Sequence, residues 1–182
     1  GLGDVYKRQN SYLCQKDMPK LYIIAGCNGA GKTTASYTVL PEMLGCKEFV
    51  NADEIAKGLS PFNPESVASR SYVKFVERAQ AKGYFVTLLY FWLPTPEQAI
   101  ERVATRVSEG GHNIPSDVIR RRYANGIKNL ITLYTPICNF WTIYDNSSAD
   151  AEIKIIASGE KDITIHVEDA LSYKMISDYE RG

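Results

Sequence analysis

Apolar residues follow two rhythms along this chain. Leu21-Tyr22-Ile23-Ile24-Ala25 and the run from Tyr84 to Leu93 are apolar at successive positions, as strands covered on both faces of a parallel sheet should be. Between and after them, apolar residues recur every third or fourth position. Val73, Val76 and Ala79 predict a helix over Ser71 to Lys82, stopped by Gly83, and Ile100, Val103, Ala104 and Val107 predict a second. Thr95 is placed to cap that second helix, with Pro96 at its first position and Glu97-Gln98 in its first turn. Ser116-Asp117 caps a third, running to about Tyr134, with Ile119, Tyr123, Ile127, Leu130 and Tyr134 along one side. Lys32 to Leu40 reads as a helix ended by Pro41 and Gly45, and Glu48 to Ala52 as a strand. Trp141 to Ser147 reads as another strand. Ile153 to Ala157 and Ile163 to Val167 read as a hairpin turning at Ser158-Gly159-Glu160-Lys161, with a helix from near Glu168. Alternating strands and helices predict an α/β domain, a parallel sheet flanked by helices.

Composition narrows this further. With 182 residues and 45% apolar content the chain suits one core, and we expect a single domain over residues 18–182. Gly1-Leu2-Gly3-Asp4-Val5-Tyr6-Lys7-Arg8-Gln9 resembles translated sequencing adapter, or else a disordered terminus, so residues 1–17 are excluded from the expected fold. Lys plus Arg and Asp plus Glu both number 21, which leaves no overall field to draw nucleic acid or an anionic membrane. Cys14, Cys27, Cys46 and Cys138 are scattered, without zinc-ligand or disulfide-framework spacing. Reduced thiols in the cytoplasm are expected. The longest apolar stretch is too short to cross a bilayer as a helix, and no secretory signal opens the chain, so no membrane partner is expected.

The chemistry concentrates just after the first apolar run. Gly26-Cys27-Asn28-Gly29-Ala30-Gly31-Lys32-Thr33 is a complete G-x-x-x-x-G-K-[ST] loop, the Walker A pattern, between a predicted strand and a predicted helix. Its glycines permit turns in which successive N–H groups converge on phosphate oxygens. Lys32 then reaches the β- and γ-phosphates, Thr33 offers a hydroxyl to Mg²⁺, and the helix start presents its positive end. Asp53 follows a predicted strand, at the end where ligands of open α/β sheets bind. There a carboxylate can orient Mg²⁺, accept a substrate proton, or cap the short helix Glu54 to Gly58. Arg102 and Arg106 share one helix face, free to swing over a triphosphate or to be solvated.

Gly110-Gly111-His112-Asn113-Ile114-Pro115 joins the second and third helices into a hairpin with a glycine hinge, a helical lid that can close over nucleotide. Of Arg120, Arg121 and Arg122 in its second arm, Arg120 lies nearest the apolar stripe by helical angle and Arg121 farthest. No aromatic stacking platform accompanies them, so nucleic-acid binding is not expected. His112 in the hinge makes either a functional contact or a hinge hydrogen bond, and His166 alternates as an exposed strand residue. Two histidines without triad or metal-ligand spacing support neither a hydrolytic triad nor zinc chemistry.

The loop Gly26 to Thr34, Asn51-Ala52-Asp53-Glu54-Ile55 with Leu59-Ser60-Pro61, Arg102-Val103, Gly110 to Pro115, Arg120-Arg121-Arg122-Tyr123 and Tyr144-Asp145-Asn146-Ser147 together resemble the zeta toxin family of P-loop kinases. The resemblance covers most of residues 20 to 160. It implies a kinase-like fold that binds ATP or GTP with Mg²⁺ and transfers the γ-phosphoryl group to a hydroxyl of a small molecule, a UDP-linked amino sugar in the best-known members, with an antitoxin protein blocking the nucleotide site. It assigns Gly26, Asn28, Gly29, Ala30, Gly31, Lys32, Thr33 and Thr34 to the nucleotide, Thr33 and Asp53 to the metal, Asp53 to the general base, and Arg102 or Arg106 to lid charge. Members of the family carry a further helix and an acidic strand that this chain lacks at Ala68-Ser69, so the sheet is expected to be one strand short. A nucleotide-binding module without turnover, recognised by a protein partner, is therefore the alternative to a kinase.

Overall fold

A computed structural model describes residues 18–35, 37, 50–51, 64–148 and 153–179. The strands are β1 (Lys20–Gly26), β2 (Val50–Asn51), β3 (Phe85–Trp92), β4 (Phe140–Asp145), β5 (Lys154–Glu160) and β6 (Ile163–Val167). They form one sheet in the order β2-β1-β3-β4-β5-β6. The first four are parallel, and β5 and β6 continue the sheet antiparallel. This is the α/β architecture that the hydrophobic pattern predicts. No strand lies between β1 and β2: Ile23 stands opposite Val50 and Ile24 opposite Asn51.

The helices are α1 (Pro64–Ala81), α2 (Pro96–Ser108), α3 (Ser116–Asn129) and α4 (Ala170–Asp178), and residues 32–35 are helical as well. Helix α1 begins at Pro64 rather than Ser71. A proline lacking its N–H fits a first helical turn, and Glu65 to Arg70 show no apolar stripe by which periodicity could find them. On α2, Thr95 caps Gln98 as expected, but the buried residues are Ala99 and Val103, and Ala104 is exposed. Pro115, not Ser116 or Asp117, occupies the cap position of α3, without a side-chain hydrogen bond, and Leu130–Tyr134 continue α3 as a wider π-helical turn.

Helix α3 buries Ile119, Tyr123 and Ile127 as its spacing predicts. Its arginines depart from the expected order. Arg120 is exposed and reaches Glu97 of α2 at 3.3 Å, whereas Arg122 is partly buried. Neighbouring elements cover the flank of the stripe that carries Val118, Arg122 and Asn129 instead of the flank that carries Arg120. The hairpin differs too. Strand β5 runs through Ser158-Gly159-Glu160, and the turn is Lys161-Asp162, with Lys161 left-handed at φ 51°. Gly159 is there because a Cβ would collide with the Trp141 ring and the Ile163 carbonyl, a packing role that in sequence imitates a turn. Strand β4 is framed by Phe140 and Asp145, and α4 is capped by Asp169, whose carboxylate accepts from the Leu171 and Ser172 N–H groups.

The core lies on both faces of the parallel strands. Ile23, Val86, Leu88, Leu93, Ile143, Ile127 and Leu130 are fully enclosed, and Tyr72 of α1 packs its ring 4.3 Å from that of Tyr134. Gln80 of α1 donates to the Ile137 carbonyl at 2.7 Å and to Asn139, which itself accepts from the Val86 N–H. No helix among the described residues is long and apolar enough to cross a membrane.

Candidate phosphate-binding site

Strands β1, β3 and β4 end side by side, and the segments leaving them share one rim: the loop 27–31, Leu93, and Asn146 to Ser148. The loop turns with Ala30 N–H donating to the Cys27 carbonyl at 3.2 Å, and the helical turn starts with Ala35 N–H donating to Gly31 at 2.9 Å. Gly29 and Gly31 hold φ at +76° and +73°, which side-chain-bearing residues rarely adopt. Left-handed residues alternating with ordinary ones make successive N–H groups converge, the concavity that accepts anions. Space adds a second demand at Gly29, where a Cβ would stand 2.8 Å from the Ala99 carbonyl oxygen and 3.2 Å from Cβ of Arg102.

Lys32 folds back over this loop. Its ammonium donates to the carbonyls of Gly26 at 2.8 Å and Cys27 at 2.9 Å, which keeps the charge at the loop. Thr33 and Thr34 are exposed at the helix start, Asn28 is partly buried, and Ala30 is fully enclosed. The residues expected to cradle nucleotide, Gly26, Asn28, Gly29, Ala30, Gly31, Lys32, Thr33 and Thr34, are thus contiguous around one turn. Asp53 lies outside the described residues.

The two candidate arginines part company. Arg102 donates to the carbonyl of Ser147 at 3.1 Å and, more distantly, to Ser148 at 3.5 Å, beside the phosphate loop. Arg106 is exposed and donates to the His112 carbonyl at 3.0 Å, so the hinge contact involves the histidine's main chain. His166 pairs with Glu168 at 2.8 Å, on the antiparallel side of the sheet. Cys27 and Cys138 are buried thiols outside any disulfide. Burial pushes the Tyr123 hydroxyl well above its ordinary pKa, so it stays a neutral donor to the Leu93 carbonyl, at 2.7 Å.

Sequence reading gave Asn146 no role, yet its side chain reaches the loop and donates to the Ala30 carbonyl at 2.8 Å. The available signals were its position just after a strand on the ligand-binding side of the sheet and its place in the Tyr144-Asp145-Asn146-Ser147 segment that carries the family resemblance. A polyphosphate fits this donor set, with convergent N–H groups, a lysine and a helix start. For Mg²⁺, the fitting described group is the Thr33 hydroxyl. Among the described residues no group of three His, Cys, Asp or Glu could hold a metal ion by itself.

No protein-family model matches this chain. An uncharacterized protein of Haemophilus influenzae is 23% identical over 132 residues, 57% of this chain and 92% of that protein. Among solved structures, the AvrRxo1-ORF1:AvrRxo1-ORF2 complex superimposes with TM-scores of 0.59 in its form with sulphate ions and 0.58 in its form with ATP, at 17% and 18% identity. In both, the match covers 88% of this chain and 64% of the other, so this chain spans just under two thirds of that relative's length. A chain of the PezAT chromosomal toxin–antitoxin system of Streptococcus pneumoniae gives a TM-score of 0.51 at 17% identity, covering 98% of this chain and 93% of that one. The fold of this protein is accordingly the α/β fold, a mostly parallel sheet flanked by helices, that these solved structures share with it.

Proposed function

We propose that this protein is a phosphotransferase that binds a purine nucleoside triphosphate, ATP or GTP, with Mg²⁺ and passes the γ-phosphoryl group to a hydroxyl of a small molecule such as a UDP-sugar. The observation that carries this reading is the Lys32 ammonium held against a loop whose Gly29 and Gly31 are both left-handed. Such a loop at the carboxyl end of a parallel strand has one well-understood use, gripping polyphosphate. The AvrRxo1 structure with ATP supports it from a protein of the same fold.

In this chain Lys32 exchanges its two carbonyl partners for phosphate oxygens when nucleotide enters, and the loop N–H groups take the remaining charge. Thr33 would hold the metal through its hydroxyl. A bound Mg²⁺ would supply charge neutralisation of the phosphates there. Asp53 is the proposed general base and second metal-side group. Arg106, on the hinge side of α2, is the arginine of the pair with freedom to approach the nucleotide when the hairpin of α2 and α3 closes, the step that excludes water. A protein antitoxin is the proposed partner, supported by the toxin–antitoxin origin of the PezAT structure and by the two-protein AvrRxo1-ORF1:AvrRxo1-ORF2 complex. The expected setting is the cytoplasm.

One observation favours the second reading, binding without turnover. Strand β2 pairs directly with β1, so the acidic strand of the zeta toxin pattern is not between them. A nucleotide-consumption assay with UDP-sugars present separates the two. A kinase consumes ATP in an acceptor-dependent way and loses at least about a hundredfold in rate on Asp53→Ala, the lower end of what a general base contributes. Equal, background rates in both proteins, with ATP still bound, contradict the kinase.

A further inference from the structure

The Asn146 contact constrains more than one atom of the loop. Because a peptide unit is planar and trans, the Ala30 C=O and the Gly31 N–H that share it point in opposite directions. Asn146 Nδ2 fixes that carbonyl at 2.8 Å on the β4 side, and so fixes the Gly31 N–H towards the other side of the same peptide plane. Gly31 must also lack a side chain for this contact to exist, since a Cβ there would stand 2.5 Å from Asn146 Nδ2.

Asn146 is held in turn by the rim. Its own N–H donates to the Trp92 carbonyl at 3.2 Å, and the Ser147 N–H donates to the Asp145 carboxylate at 2.8 Å. The Ser147 carbonyl then accepts from Gln98 at 2.9 Å and from Arg102 at 3.1 Å, which joins this segment to α2. The chain of contacts runs from α2 through Ser147 and Asn146 to the phosphate loop.

We propose that Asn146 is a positioning residue for polyphosphate binding: it presets the Gly31 N–H towards the anion, and Arg102 and Gln98 act through it as a buttress. This rests on the phosphate-binding reading of the loop, and it gives Arg102 a different task from lid charge. A preset donor needs no reorientation when ligand arrives, which is where a positioned loop gains affinity.

The test is NMR of the Gly31 amide together with calorimetry, using Mg–ADP and Mg–ATP, on wild type, Asn146→Ala and the size-matched Asn146→Leu. Wild type is expected to show a large downfield displacement of the Gly31 amide on Mg–ADP addition. In the variants that displacement shrinks and ATP binds about tenfold more weakly, the loss expected for one hydrogen bond. If Asn146→Ala does not fold, Asn146→Leu fills the same space and supplies the same readout, and Gln98→Ala, farther from the loop, predicts a smaller displacement loss of the same sign. A variant that binds as tightly as wild type with an unchanged Gly31 displacement overturns the role of Asn146 alone. A wild type that binds no nucleotide overturns the phosphate reading together with it.

Discussion

In the parallel half of the sheet, β1, β3 and β4 deliver their carboxyl ends to one rim, where a glycine-rich loop, a lysine, an asparagine and an arginine meet within a few hydrogen bonds. In the antiparallel half, β5 and β6 double back through a two-residue turn, so their ends face opposite ways and no shared rim forms. Burial separates the edge from the rest of the sheet: Ile23 and Leu88, like Ile156 on β5, are 0% exposed, while Ile163 and Ile165 on the edge strand β6 are 65% and 44% exposed. The contrast follows from connectivity. Parallel neighbours need long crossovers, the crossovers become helices on both faces, and the covered sheet leaves its loops at one end. An antiparallel hairpin needs no crossover, and it extends the sheet without adding to the site.

Stability therefore resides mainly in the covered strands rather than in the edge strand β6. Leu89→Ala, in the centre of β3, is expected to cost about 3 kcal/mol in urea unfolding, because it removes packing on a fully covered strand. A cost below about 1 kcal/mol would contradict the division. Alkali should act on the parallel half too. Burial pushes the Cys138 thiol up from its ordinary range to about 12, with the hydrogen bond shared with Tyr72 opposing. The folded state therefore holds this proton more tightly than the unfolded state, so its contribution is complete below pH 9 and drains away as pH rises towards 12. Wild type should lose stability between pH 9 and 11 more steeply than Cys138→Ala, and equal slopes would remove Cys138 from the account.

Smaller effects belong to the antiparallel half. Asp169→Ala removes the cap of α4 and should cost about 1 kcal/mol, read by thermal unfolding at neutral pH. The Asp169 carboxyl lies below its ordinary range because it accepts first from the Ser172 hydroxyl and then from backbone N–H groups. That capping contribution is present at neutral pH and fades on acidification. Least of all, Ile163→Thr should change stability by under about 0.5 kcal/mol. A larger loss would mean that β6 is covered after all.

Sequence carried the parallel half well because its signals are local. An unbroken apolar run, a glycine loop and a capped helix announce β1, the loop and α2 without reference to distant residues. It failed where a residue's job is set by something far away. Gly159 resembles a turn until Trp141 and Ile163 are seen against it. Asn146 lies 116 positions from the carbonyl it holds, and no spacing rule connects the two. Arg102 and Arg106 share a helix face, yet one is drawn to Ser147 and the other to His112, a split decided by what the rim and the hinge bring near. Ser71 as a helix start was misplaced because the first turns of α1 carry no apolar stripe.

The central claim, that the loop around Lys32 grips a polyphosphate, is tested most directly by calorimetric titration of Mg–ATP and Mg–GTP into wild type and Lys32→Ala. The account predicts saturable one-to-one binding of at least one of the two nucleotides by wild type, weakened about tenfold or more in the variant, with both proteins equally folded. Absence of binding to folded wild type, or undiminished binding to Lys32→Ala, would contradict it.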